Sequence, residues 1–353
     1  MMRFLQKQLR DSDDKIPGLN LLRFFLAIWV VIVHYDFLPT ITKVSYERID
    51  LPLYTYLKWF YAHQSEPVPI FWAISGAVFA IAYPVSASFD FRRFLIARFA
   101  RLVPLHWVML VVLFIVTLIR YVGFQELNAA LNFVLVTTNI LLIQNWFPVQ
   151  IYSINGPTWS ISVEVLTYLV FGLYRLVRRN LLDLLIVAIS VWLLFVTTTP
   201  SRLSPFLSIA LFFISRRIFD SKCLSTKWLQ AVTIASLIAA IGILRTFAPE
   251  HSMLAKAPFM AVIMVLVFTY VKRLYDPKIL GDITYSIYLI HTPYMALLVL
   301  GMKLLHVDLH VTLTPTFFIL YFVTLFAISL ASFHYLESPA RRFINAKYKK
   351  APA

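Results

Sequence analysis

Residues 16–35 read IPGLNLLRFFLAIWVVIVHY. Wound as a helix at about 1.5 Å per residue, such a stretch reaches about 30 Å, the thickness of a bilayer's hydrocarbon core. It follows a charged leader, yet it is longer than a signal-peptide core, holds Arg23 inside it and has no small-residue cleavage site before Asp36. We therefore read it as a retained first transmembrane helix. Arg23 and His34 are about three turns apart, which leaves them within about 20° of one face and roughly 16 Å from each other. A bland reading exists for each: the arginine snorkels to headgroups and the histidine satisfies a backbone carbonyl. Ionisable groups inside a span are costly, however, and both are functional candidates.

The rest of the chain extends this pattern. Of 353 residues, 60% are hydrophobic and 14% charged, and the mean hydropathy is +0.77. Soluble domains carry roughly a quarter of charged residues, so a globular fold is excluded. Long apolar runs bounded by Pro, Gly or basic clusters predict an all-α polytopic membrane protein rather than a barrel of short alternating strands. About ten transmembrane helices are expected, at 17–37, 67–84, 104–123, 157–177, 181–197, 203–217, 228–246, 257–272, 282–301 and 312–336. A further apolar stretch, 127–143, is interrupted by Asn128, Asn132 and Asn139 and reads as re-entrant or interfacial.

The formal charge of +15 would suggest nucleic acid in a soluble protein. Here the basic residues sit between the apolar runs: 23 of the 32 Lys and Arg fall in segments assigned to the inside and 8 to the outside. That is the positive-inside pattern, with both termini cytoplasmic and no nucleic-acid partner. The single cysteine, Cys223, excludes an internal disulfide and a cysteine metal cluster. With no tandem repeat or soluble segment in view, residues 1–353 read as one membrane domain.

Several intramembrane polar groups point to chemistry. The fourth span opens GPTWSISVE, residues 156–164, placing Ser160 and Glu164 on one face beside the interfacial Trp159. Glu164 lies at a depth similar to His34, and an intramembrane carboxylate needs a partner, so a Glu–His acid/base pair is expected, with a structural interhelical hydrogen bond as the alternative. Residues 91–104, FRRFLIARFARLVP, read as an inner loop with Arg98 and Arg101 at i, i+3 and Arg93 and His106 near the same path. Guanidinium groups bind phosphates bidentately, though a topology signal explains most basic loops. Ser75-Gly76 in span two reads first as a close helix contact. Span nine carries Tyr288 and His291 one turn apart, and span ten ends at Glu337-Ser338-Pro339, where helix-end packing is expected.

Together these segments resemble acyltransferase family 3, the integral-membrane O-acyltransferases that include O-antigen and exopolysaccharide acetylases. The resemblance covers nearly the whole chain: Arg23 and His34 match the arginine, ten residues, histidine signature. Ser75-Gly76, Arg98 with Arg101, the Trp159, Ser160 and Glu164 element, the Gly281 to His291 element and Glu337 to Pro339 follow in order. Thr284 stands where a serine is common, and Trp72 replaces a phenylalanine. The resemblance implies transfer of an acyl group, acetyl above all, from cytosolic acetyl-CoA (acyl-CoA), a donor substrate rather than a bound cofactor, to a sugar hydroxyl of a lipid-linked or surface glycan.

The implied setting is the bacterial cytoplasmic (inner) membrane, with membrane lipids around the chain and no metal. No SGNH hydrolase-like domain is expected, so the membrane domain acts alone or with a separate extracytoplasmic partner. In the scheme that results, His34, Glu164 and Arg23 carry catalysis. His34 is a general base or becomes transiently acylated, Glu164 orients it, and Arg23 orients the donor or stabilises oxyanion charge. Arg93, Arg98 and Arg101 bind the donor, and Ser75, Gly76, Trp159, Ser160, Tyr288 and His291 serve the substrate or the structure. A proton-coupled transporter or lipid-linked glycan flippase is the rival, since both also use intramembrane His, Glu and Arg, but no inverted repeat is visible.

Overall fold

Helices carry the fold because, in hydrocarbon, each backbone N–H and C=O must be satisfied within the protein. The computed structural model describes residues 18–125, 132–146, 151–177, 182–196, 200–219 and 276–349, and the regular elements among them are helical. In chain order they are α1 (Leu19–His34), α2 (Phe37–Thr42), α3 (Tyr54–Ala62), α4 (Pro67–Ala82), α5 (Phe91–Phe124) and α6 (Phe133–Ile140). They continue as α7 (Thr158–Val177), α8 (Leu182–Val196), α9 (Pro200–Phe219), α10 (Lys278–Leu304), α11 (Pro315–Ser332) and α12 (Ser338–Lys349).

Eight of the ten expected spans fall on described residues, and each coincides with one of these helices; those at 228–246 and 257–272, with Cys223, lie outside the described residues. Five helical stretches among the described residues, taking α1 with α2 and α11 with α12 as continuous, are long and apolar enough to cross a membrane, or six when α3 and α4, bent by 61°, are taken as one broken span. α8, at 15 residues, is shorter than a full crossing requires.

One expectation changes. Residues 91–104 are not a loop but the first turns of α5, which starts where the Asp90 side chain accepts from the Arg93 backbone and runs on through Pro104. The stretch has no glycine or internal proline before that point to stop a helix. Arg98 and Arg101 therefore project from a helix two and three turns in. The described part of 127–143 forms α6, eight residues and about 12 Å long, too short to span. Its asparagines tie it down. Asn132 caps it, and Asn139 bonds Leu135, Tyr152 and Ile154, while His106 and Trp107 of α5 donate to the carbonyls of Asn139 and Ile140.

The core is aromatic. Phe79 packs against Tyr83, Phe94, Tyr168, Phe171 and Phe212, joining α4, α5, α7 and α9. α10 lies along α1 and runs in the same direction: Asn20 meets Asp276 and His34 meets His291. Pro293 inside α10 cannot bond the Leu289 carbonyl one turn back, and that carbonyl instead accepts from Asn155 Nδ2 at 2.9 Å.

Gly76 marks the closest approach of α4 to α9, since a Cβ there would overlap the Phe212 carbonyl oxygen. Small residues of this kind let membrane helices touch through their backbones. Gly76→Ala should force the two helices apart and destabilise the protein by about 1–3 kcal/mol. A lowered unfolding midpoint in detergent is the expected reading.

Candidate active site

A cavity of ≈ 90 Å³ opens among α1, α4, α5, α7 and α10, and its polar lining comes from all five: Arg23, Ser75, Arg98 with Arg101, Ser160 with Glu164 and Tyr168, and Thr284 with Tyr285 and Tyr288. Three arginines and a single carboxylate thus face one space. Glu164 accepts from Ser75 Oγ at 3.1 Å and from the Tyr168 hydroxyl, one turn further along α7. The Arg101 guanidinium interacts electrostatically with Glu164 and with Glu337, and Glu337, buried at the end of a π-helical turn over Phe333–Glu337, accepts from Ser286 at 2.8 Å. The Glu337 expected only to pack a helix end therefore also faces Arg101.

Arg98 is held by aromatic faces rather than by a carboxylate. Its guanidinium lies 5.2 Å from the Phe79 ring centre, 5.7 Å from Tyr168 and 5.9 Å from Phe94, and it donates to the Tyr83 hydroxyl at 3.5 Å. Cation–π contact compensates a guanidinium for lost water without cancelling its charge. Its Nε is buried and bonds no protein acceptor, which leaves it available to an anion entering the cavity. Arg93, by contrast, is exposed and does not line the cavity; its position at the first turn of α5 points it elsewhere. His106, which sequence placed near the arginines, is fully buried and used to hold α6.

Ser160 and Tyr288 join across the cavity wall with their hydroxyl oxygens 2.6 Å apart, and both reach the Pro157 carbonyl at the start of α7. Trp159 turns away from this space and packs edge-on against Trp72. Gly76 lies outside the lining as well and serves the α4–α9 contact.

His34 is where the structure departs furthest from the depth argument. Its Nδ1 lies 2.8 Å from Nε2 of His291, and the two rings are nearly coplanar in orientation at 7°. Glu164 has its own partners, so the expected Glu–His pair is replaced by a His–His pair. The pair has a direction. His291 Nδ1 faces the Ile287 carbonyl at 3.3 Å, and a carbonyl only accepts, so this nitrogen carries the hydrogen. In the neutral pair His291 Nε2 is then the acceptor, His34 Nδ1 is the donor, and His34 Nε2 is left with a lone pair. His291 is fully buried while His34 is partly exposed, so the free lone pair belongs to the reachable ring.

The loop after α1 steadies His34. The Tyr35 hydroxyl donates to the Thr312 carbonyl at 2.7 Å, and Asp36 accepts from Arg48 at 2.9 and 3.2 Å and from Tyr46 at 2.7 Å. Among the described residues no group of three or more His, Cys, Asp or Glu is arranged to hold a metal. Tyr168 went unremarked in the sequence and Tyr285 was read only as part of the Gly281 to His291 element, though each had a signal: Tyr168 lies four residues after Glu164, and Tyr285 one turn before Tyr288.

Comparison with known proteins bears on what such a site does. The family model Acyl_transf_3, an acyltransferase domain, matches residues 16–334. The acyltransferase MdmB of Streptomyces mycarofaciens is 30% identical over 168 residues, 47% of this chain and 41% of that protein. The aligned region thus spans less than half of that relative's length. No solved structure matches. Because the family match runs over all but the two ends of the sequence, the chain belongs to acyltransferase family 3.

Proposed function

We propose that this membrane acyltransferase moves an acetyl group from acetyl-CoA, entering from the cytosol, to a sugar hydroxyl of a lipid-linked or surface polysaccharide. We place it in the bacterial inner membrane with ten spans and both termini inside, as one domain over 1–353. The observation that carries the reading is the pairing of a cavity lined by Arg23 of α1 and Arg98 and Arg101 of α5 with an oriented histidine base where α1 meets α10. Arg98 and Arg101 take the phosphates of the donor, for which the unfilled Arg98 Nε and the cavity's excess positive charge are suited. Thioester and pantetheine extend past Arg23 toward His34.

His34 Nε2 takes the proton of the acceptor hydroxyl as its oxygen attacks the thioester carbonyl, and His291 holds the imidazole in the tautomer this needs. The tetrahedral intermediate collapses with loss of the CoA thiolate, which receives the proton from His34. Arg23, about 16 Å inward of His34 on the same face, orients the donor chain as it passes. Glu164 acts in the cavity, held by Ser75 and Tyr168, and balances the arginines there. A second cavity of ≈ 260 Å³, with apolar walls that include Leu102, Val103 and Leu169, adjoins the first at Arg98 and Tyr168 and reaches the exposed Trp107 and Leu141. A lateral space of this kind supports an acceptor carried on a hydrocarbon chain.

His34→Ala should lower acetyl transfer by about 10²–10⁴-fold while the protein still inserts, measured with purified enzyme in liposomes, labelled acetyl-CoA and lipid-linked glycan. Full activity of that variant would remove the base. Stoichiometric label on His34 without acceptor would replace it with an acyl-enzyme. Arg98→Ala or Arg101→Ala, each losing charge-assisted bonds worth about 1.5–3 kcal/mol, should weaken acetyl-CoA binding at least tenfold in a titration. Unchanged affinity would take the donor out of this cavity. Mass spectrometry of surface glycans from a deletion strain, lacking one acetyl on a defined sugar, identifies the acceptor.

A further inference from the structure

α1 begins without a cap of its own. Its N-cap residue, Gly18, sits at φ 76°, a left-handed conformation that suits glycine, and contributes no side chain. The first N–H groups of a helix have no partner within it, and in a membrane protein water does not readily supply one. Here the partner comes from 256 residues away: the buried Asp276 carboxylate accepts from the Asn20 backbone at 3.3 Å, from the Asn20 side-chain amide at 3.1 Å and from the Leu21 backbone at 2.8 Å. Gly281, one turn into α10, is the second half of the joint, for a Cβ there would overlap the Asn20 side chain. The contact fixes where α1 starts relative to α10.

That register matters to the site. Arg23 follows Asn20 by three residues, about 4.5 Å of rise, and faces the cavity beside Thr284, Tyr285 and Tyr288 of α10. At the other end of the same helix pair His34 meets His291. α1 is thus pinned to α10 at both ends, and the lever between the first pin and Arg23 is a single turn. From this geometry we infer that Asp276 is a positioning residue of the acyltransferase, acting through the first turn of α1 to aim Arg23 into the cavity. The assignment rests on the reading of Arg23 given above.

Two variants and one cycle test it. Asp276→Ala should lower the kcat of acetyl transfer by about 10–100-fold, the scale on which small misplacements of reacting groups act. Asp276→Asn, which keeps one acceptor oxygen for Leu21, should recover part of the loss, and Gly281→Ala should reproduce it by pushing Asn20 off its partner. In an Arg23→Ala background, Asp276→Ala should cost little more, less than about twofold, because interacting residues are not additive. Losses that multiply would make Asp276 a general stability residue and overturn the assignment.

Hydrogen exchange supplies a readout independent of the reaction: the Asn20 and Leu21 amides should exchange faster in Asp276→Ala, with those of residues 28–32 unchanged. Unaltered exchange at Asn20 and Leu21 also overturns the assignment. If wild-type protein transfers nothing from acetyl-CoA, the proposed donor falls instead, and the exchange measurement still decides whether Asp276 sets the start of α1.

Discussion

Hydrocarbon offers no hydrogen bonds, so every polar group carried into the bundle must be matched by another part of the chain. Most of the architecture answers to this constraint. The carbonyl released by Pro293 is met by Asn155, the start of α1 by Asp276, and the intramembrane Glu164 by Ser75 and Tyr168. All but the Tyr168 bond link segments far apart in sequence, so satisfying the polar groups also ties distant helices together. The cavity is one of several places where matching is left unfinished: Arg98 is held over three aromatic rings but keeps a buried N–H with no protein acceptor.

The division of the polar residues into two groups changes how the chemistry is laid out. Arginines and Glu164 surround the cavity, whereas the histidine pair lies outside its lining, with Tyr288 packing near His291 and also forming part of the cavity wall. Donor recognition and proton transfer are then separate tasks performed at different heights of α1 and α10. A rigid pairing of those two helices is what keeps the tasks in step.

Much of this was legible from residue types and spacing. A helix period was enough to put Arg23 and His34 on one face and Ser160 with Glu164 on another, and the i, i+3 arginines both reach the cavity. What spacing along one helix lacks is lateral information. Counting depth along single helices put Glu164 beside His34, whereas the structure sets Glu164 into the cavity wall and brings His291 against His34. Basic residues near Arg98 read as a loop because charge counting takes clustered arginines for a membrane boundary, while α5 carries them inward on a continuous helix backed by aromatic rings. Asp276 gave no local signal, because a cap supplied across 256 residues leaves no pattern in either segment.

The parallel course of α1 and α10 carries an electrostatic consequence. Helix dipoles place partial positive charge, roughly half an elementary unit, at each N-terminus, and two helices lying side by side in the same sense bring those ends together. In a low-dielectric surround that arrangement is unfavourable unless an anion lies between them. Asp276 immediately precedes the N-terminus of α10 and bonds the N-terminus of α1, so one carboxylate offsets both dipoles at once. Replacing it with a neutral acceptor of the same shape would keep the geometry of one bond and restore the repulsion between the two helix ends.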